Sequence, residues 1–410
     1  MNKITDRKKV NALVLLCAMA YFISYFSRVN LSAALVEVIN SGFAGKKTAA
    51  LALTVCSITY GAGQIISGFL GDRFKPQNLI LTGFAITTVA NGCVGLMTND
   101  VLLVPLWGIN GFAQALMWPP LVVIMAKRLS KEDYQTACIR VSWGSSFGTI
   151  AVYLLAPIII NILNIRWVFF ISAVAAAVML VAWKLIFDKY YADVSAAVEK
   201  AKASEEKRSG KLGASVIAML AAVIFCIVLQ GFLRDGGTNW MPSYVSDVFH
   251  VDSSAAILSG VILPVFAILS LQVASFVNKK LLKNELTCAA AFFFVGCLAA
   301  MLLWLCNGQN LMVSLIAMAL LVASMHGVNL ALISFIPQYF EQFGNVSFVS
   351  GLLNSGTYIG SAVSGYGLAA FTEAFGWQNT IALWGAVAVA GTALCFALNK
   401  RWQRFKTEGK

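Results

Sequence analysis

Apolar stretches of roughly 20 residues recur along almost the whole chain, and this constrains the fold more than any other feature. A helix must supply such a stretch to cross a hydrocarbon core of about 30 Å. Twelve are legible: 10 to 38, 48 to 70, 77 to 97, 101 to 127, 134 to 162, 166 to 187, 214 to 244, 254 to 277, 284 to 306, 310 to 340, 346 to 372 and 377 to 399. With 59% hydrophobic and 12% charged residues, against about a quarter charged in soluble domains, the chain has lipid as its main solvent. The expectation is an all-α membrane protein of twelve transmembrane helices.

A net charge of +12 would suggest nucleic acid as partner in a soluble protein, so the placement of the charge decides. With the N-terminus inside, twenty-four of the thirty Lys and Arg fall in inner segments, from the N-terminal tail to the C-terminal tail. Only Lys46, Lys47 and Arg166 fall outside, and Arg28, Arg140 and Arg234 lie within spans. This is the positive-inside bias. It predicts a multi-pass protein of the plasma (inner) membrane with both termini cytoplasmic, the lipid bilayer as its partner and no nucleic acid. A monomer is expected.

One long polar interruption splits the chain into a six-helix bundle over 10–187, a cytoplasmic connecting loop over 188–213 and a second bundle over 214–399. The halves read as copies offset by about 206 residues, with Arg28 opposite Arg234 and the GDRFKP turn at 71–76 opposite 278–283. Internal symmetry of this kind marks transporter repeats. Small residues at helical spacing (Gly63, Ser67, Gly71; Gly144, Gly148; Gly356, Gly360, Ser364) predict close helix contacts. These are either static packing or surfaces on which the halves slide.

A buried arginine needs a partner or an aqueous cavity, because it stays charged. Asp235 is the acid well inside a span, and one carboxylate cannot neutralise both Arg28 and Arg234. The surplus points to a mobile anion, since guanidinium forks hold phosphate or carboxylate oxygens in pairs. The alternative is that Arg234 pairs with Asp235 while Arg28 faces water. Arg140 reads equally as a gate or as a charge reaching the interface.

Tyr21, Tyr25 and Arg28 share one helical face. Further candidates for a polar, aromatic-lined cavity are Tyr60, Gln64, Trp143, His326, Asn329, Asn354 and Tyr358; Asp235, Arg140, Asp72 and Arg73 are candidates for coupling or gating. GSSFG at 144–148 matches a hydrolase nucleophile pattern, but it lies inside an apolar helix rather than on a strand-turn-helix. The nine cysteines form no CxxC pair. No catalytic residue, cofactor or metal site is expected, and the chain does not read as an enzyme.

The GDRFKP turn resembles the inner loop of the major facilitator superfamily. More narrowly, YFISYFSRVNL (21–31), WPP (118–120), FLRDGGTNWMPSY (232–244) and SGLLNSGTYIGSAVSGY with FGW (350–366, 375–377) resemble the organophosphate:phosphate antiporter family of glycerol-3-phosphate and hexose-phosphate carriers. The resemblance implies two pseudo-symmetric bundles and alternating access. It implies that Arg28 and Arg234 bind the substrate phosphoryl group, with Tyr21, Tyr25, Tyr60 and Tyr358 lining the cavity. Gln64 and Val29 stand where those carriers have lysines, and Phe147 falls near a site histidine, so the cavity is less positive. A monoanionic or carboxylate substrate becomes credible beside an organophosphate. Exchange of the anion, with inorganic phosphate as counter-substrate, is the simpler expectation given one buried acid. The alternative is a non-transporting membrane sensor of a sugar phosphate, which that family also contains.

Overall fold

The structure, a computed structural model, describes residues 3–205, 213–250 and 262–408. Part of the connector (206–212, with Glu206, Lys207 and Arg208) and the start of the span at 254 lie outside the described residues. Every described element is helical. Eleven of the helices are long and apolar enough to cross a membrane.

The chain opens with α1 (Arg7–Ala33), whose first turn is capped by the Asp6 side chain accepting from the Lys8 N–H, and a short α2 (Leu35–Asn40). Then follow α3 (Lys46–Arg73) and α4 (Pro76–Leu96), which begins on a proline where a missing N–H costs nothing. The predicted span 101–127 is broken. Its α5 (Leu103–Ala115) stops, and α6 (Trp118–Arg128) restarts on Trp118-Pro119-Pro120, because two prolines cannot donate to a continuing ladder. After α7 (Lys131–Ile162), capped by Ser130 accepting from the Asp133 N–H, comes α8 (Ile165–Glu205).

The loop expected over 188–213 is therefore helical as far as Glu205. The backbone leaves helical geometry once, at Tyr191, whose hydroxyl donates to the Lys9 carbonyl at 2.8 Å. Residues 192–205 are rich in Ala, Lys and Glu, strong helix formers whose polarity does not forbid a helix in water.

After α9 (Ala214–Phe249) the described helices are Ile262–Phe276, Glu285–Leu305, Leu311–Asn329 and Val346–Glu408. The last is two spans divided at Gly376, whose φ of 76° lies in the left-handed region that a glycine adopts without strain. The helix Leu311–Asn329 widens into a π-turn at Leu330–Phe335 and tightens into a 3-10 turn at Ile336–Phe343.

The chain divides into two compact units. Unit 1 comprises Met1–Gly210 together with Pro337–Leu352, and unit 2 comprises Lys211–Ile336 and Leu353–Lys410. The break between them falls inside the connector. The inclusion of 337–352 in unit 1 has no signal in the hydropathy pattern, since this segment ends the tenth apolar stretch and opens the eleventh.

Candidate functional site

In unit 1 the site is built on one face of α1. The Tyr21 and Tyr25 rings meet edge to face at 5.0 Å, and Trp118, from the first turn of α6, approaches Tyr21 at 5.2 Å. The Arg28 guanidinium carbon lies 4.1 Å from the centre of the Tyr25 ring and 4.3 Å from that of Tyr60 on α3. Two ring faces thus stack on one cation, each contact contributing about 0.5 to 2 kcal/mol depending on how dry it is. A guanidinium carries its N–H donors in its own plane, so contact with aromatic rings and hydrogen bonding to oxygens are compatible. Gln64, one turn beyond Tyr60, is fully buried.

Two features hold this face of α1 in place. Gly144 and Gly148 of α7 press against it so closely that an added Cβ would come 2.3 Å from the Ala18 carbonyl oxygen and 2.4 Å from that of Phe22. On its other sides runs a buried amide network absent from the sequence-based candidates. Asn30 donates to Asn91 at 2.8 Å and to the Ser172 hydroxyl at 2.9 Å, and Asn91 and Asn110 donate to the Ser27 carbonyl at 3.3 and 3.2 Å. Gln114 donates to Thr87 at 3.1 Å and accepts from Ser24. The available signal was four asparagine and glutamine residues in three apolar stretches, since a buried amide must be hydrogen-bonded. Asn91→Leu takes one acceptor from Asn30 and one donor from the Ser27 carbonyl, leaving them Ser172 and Asn110. It is expected to cost about 1 to 3 kcal/mol, seen as a lower midpoint of thermal unfolding in detergent; an unchanged midpoint would contradict the network's role.

The other unit 1 candidates lie elsewhere. Arg140 is exposed and reaches Asn11 at 3.4 Å, apart from the tyrosine-arginine stack. Trp143 is half-buried, with an indole N–H that finds no acceptor. Arg73 lies over the Phe69 ring at 3.8 Å. Asp72 caps the helix that starts at Val346, its two oxygens accepting from the Ser347 and Phe348 N–H groups at 2.9 and 2.7 Å. A carboxylate there also meets the positive end of the helix dipole. The neighbouring segment is held by Lys3, which donates to Glu341 at 3.1 Å and to the Ala126 carbonyl at 2.9 Å, and by Lys131, 4.9 Å from the Tyr339 ring.

In unit 2, Arg234 and Asp235 form a two-pronged ion pair. Nε to Oδ1 is 2.6 Å and Nη2 to Oδ2 is 3.0 Å, with side chains 17% and 19% exposed. Successive residues on a helix point about 100° apart, so the pair forms only because both side chains turn toward each other. The pairing of Arg234 with Asp235, one part of a reading left open by the sequence, is present. His326 is half-buried on the helix Leu311–Asn329. Asn329 is half-buried just before the π-turn, a distortion frequent at functional sites. Asn354 is buried and Tyr358 half-buried on the helix from Val346. Gln230, one turn before Arg234 and not anticipated, donates to the Met325 carbonyl at 3.2 Å and accepts from Thr357 at 3.4 Å, tying α9 to both neighbouring helices.

A membrane-spanning helical chain with an arginine in each of two units matches, over residues 17–365, the profile of the Major Facilitator Superfamily. The chain belongs to the major facilitator superfamily. By family it is a multi-pass membrane protein. Among its relatives, a "Probable hexose phosphate transport protein" of Chlamydia muridarum is 29% identical over 160 residues, 39% of this chain and 35% of that protein. The match thus spans about a third of that relative's length. A glycerol-3-phosphate transporter of Bacillus subtilis is 24% identical over 317 residues, 72% of this chain and 70% of the relative. The structure of a proton:xylose symporter superposes with a TM-score of 0.74 at 13% identity, covering 96% of this chain and 99% of that one. At that identity the likeness is one of fold. It agrees with the twelve-helix, two-bundle architecture expected of the facilitator.

Proposed function

We propose that this facilitator is a secondary carrier of a small organic anion, an organophosphate or a carboxylate, working by alternating access with Arg28 and Arg234 as the anion-binding groups. The observation that carries the reading is the Arg28 guanidinium, stacked between Tyr25 and Tyr60 on a membrane span. Such a cation is costly in a bilayer and stays charged, and its in-plane donors suit paired oxyanion contacts. Relatives described as carriers of hexose phosphate and glycerol-3-phosphate support an anionic substrate. The neutral amide of Gln64, in place of a lysine, supports a less densely charged one than theirs.

The carrier works in the inner membrane as a monomer, with both termini in the cytoplasm, where its basic segments lie. The test is a thermal-shift screen of the purified protein against inorganic phosphate, glucose 6-phosphate and gluconate, followed by flux in proteoliposomes. Ligand at 100 times its Kd stabilises by about 2.7 kcal/mol, so a bound anion raises the unfolding midpoint. Stabilisation by none of the three overturns the reading, and stabilisation without flux identifies a sensor instead.

A further inference from the structure

The last apolar stretch ends at residue 399, and the sequence beyond it reads as a basic tail. The helix that follows Gly376 nevertheless runs on to Glu408. A joint with the turn before the helix Glu285–Leu305 carries it past the apolar stretch. The Asn284 amide donates to Asn399 at 2.7 Å. The buried Glu285 carboxylate accepts from the Trp402 indole and from the Lys406 ammonium, each at 2.8 Å, and Lys406 also donates to the Lys283 carbonyl at 3.2 Å. Trp402 and Phe405, stacked at 5.4 Å, are both buried.

A helix fixed along one side presents its other side at a fixed place. At about 100° per residue, Lys400 and Arg404 fall nearly opposite Trp402, with Arg401 beside them. All three are exposed. At a rise of about 1.5 Å per residue they lie within about 8 Å of the end of the apolar stretch. The headgroup layer is about 5 to 8 Å deep on each side of the hydrocarbon, so these cations come at the depth of lipid phosphates. Across the joint the turn adds Lys280 and Lys283, both exposed. Two apolar side chains, Phe276 and Leu281, are exposed beside them, and the Lys280 ammonium lies 5.5 Å from the centre of the Phe276 ring. Cations set among exposed apolar side chains suit the boundary between phosphate and acyl chain. The acid of the joint, Glu285, is matched by Lys406, and the other acid of the tail, Glu408, comes four residues beyond Arg404. The outer face therefore keeps its positive charge.

We propose that Lys400, Arg401 and Arg404, with Lys280 and Lys283, form a binding surface for an anionic phospholipid, whose phosphate they hold while its acyl chains lie against Phe276 and Leu281. Charge is what selects, because a zwitterionic lipid brings the same chains and phosphate but carries its own cation. The Glu285 joint gives the surface its place: an unattached tail would hold the same charges in no fixed register with the turn.

The purified full chain in detergent tests it by titration with dioleoyl phosphatidylglycerol, dioleoyl phosphatidylcholine and glycerol 3-phosphate. Bound lipid is counted by native mass spectrometry, and stability is followed as the unfolding midpoint. The wild type is expected to bind phosphatidylglycerol at least tenfold more tightly than phosphatidylcholine. Exposed charges are screened by salt, so the preference is expected to shrink as salt rises, a measurement that needs no variant. Each cation near an anionic lipid surface is good for about a fivefold change. Lys400→Gln, Arg401→Gln and Arg404→Gln combined are therefore expected to weaken phosphatidylglycerol at least tenfold and to leave phosphatidylcholine and the lipid-free midpoint unchanged.

Equal binding of the two lipids by the wild type overturns the proposal, as does an undiminished preference in the combined variant or a preference indifferent to salt. Glycerol 3-phosphate raising the midpoint of the wild type but not of the variant also overturns it, because the ligand is then a free phosphate ester. A response to glycerol 3-phosphate shared by both proteins, with the lipid preference lost in the variant, supports it. Flux plays no part in these measurements, so the carrier reading stands or falls separately.

Discussion

Arg28→Lys is expected to reduce anion uptake at least 100-fold while the protein still folds, purifies and inserts. Lysine keeps the positive charge, so the effect separates geometry from charge. The guanidinium carbon lies 4.1 and 4.3 Å from the centres of the Tyr25 and Tyr60 rings, and a guanidinium carries its donors as a planar fork. An ammonium is a compact, strongly hydrated point charge that neither stacks nor forks. Losing a two-pronged, charge-assisted contact costs about 3 kcal/mol or more, and each 1.4 kcal/mol is tenfold. The stack makes a second distinction: Tyr60→Phe keeps a ring face and is expected to retain most uptake, whereas Tyr60→Ala removes it. Arg234→Lys is expected to fail in the same way. Uptake at the wild-type rate in both lysine variants would remove the anion-binding role from the two arginines.

Gly360→Val is expected to abolish most of the folded protein, at least a fivefold fall in detergent-extracted material eluting as a single species. A Cβ at this position would sit 2.0 Å from the Val228 carbonyl oxygen and 2.6 Å from the Phe232 amide nitrogen. Both are backbone atoms of α9 and cannot swing aside, so the two helices must separate along the contact that also holds Gln230 to Thr357. Overpacking of this kind typically costs 1 to 3 kcal/mol and more where backbone is met. Gly365, on the same helix, has open space where its Cβ would be, so Gly365→Val serves as the comparison. Equal yields of the two variants would show that the helices yield more readily than the contact implies. The Gly144–Gly148 and Gly356–Gly360 pairs lie against helices of their own units. Close packing inside each unit is thus present at these stripes.

The sequence by itself determined the helices, their apolar faces and the presence of too few acids for the arginines in the membrane, because length, hydropathy and side-chain charge are local properties of a chain in lipid. It also carried the α1 face, since 3.6 residues per turn brings Tyr21, Tyr25 and Arg28 together without any other helix. Which groups meet those residues was not legible, because a contact between helices depends on how far each is turned and shifted against its neighbour. Tyr60 became the second ring on Arg28 only through the packing of α3, and Asn30, Asn91, Asn110 and Gln114 became a network only when four helices converged. The union of Arg234 with Asp235 depended on two adjacent side chains bending against their usual divergence. The capture of 337–352 by unit 1 depended on Asp72, Lys3 and Lys131, which lie hundreds of residues away in the chain. Periodicity encodes which face of a helix is polar; only the tertiary structure decides what that face touches, because neighbours distant in sequence leave no periodic trace.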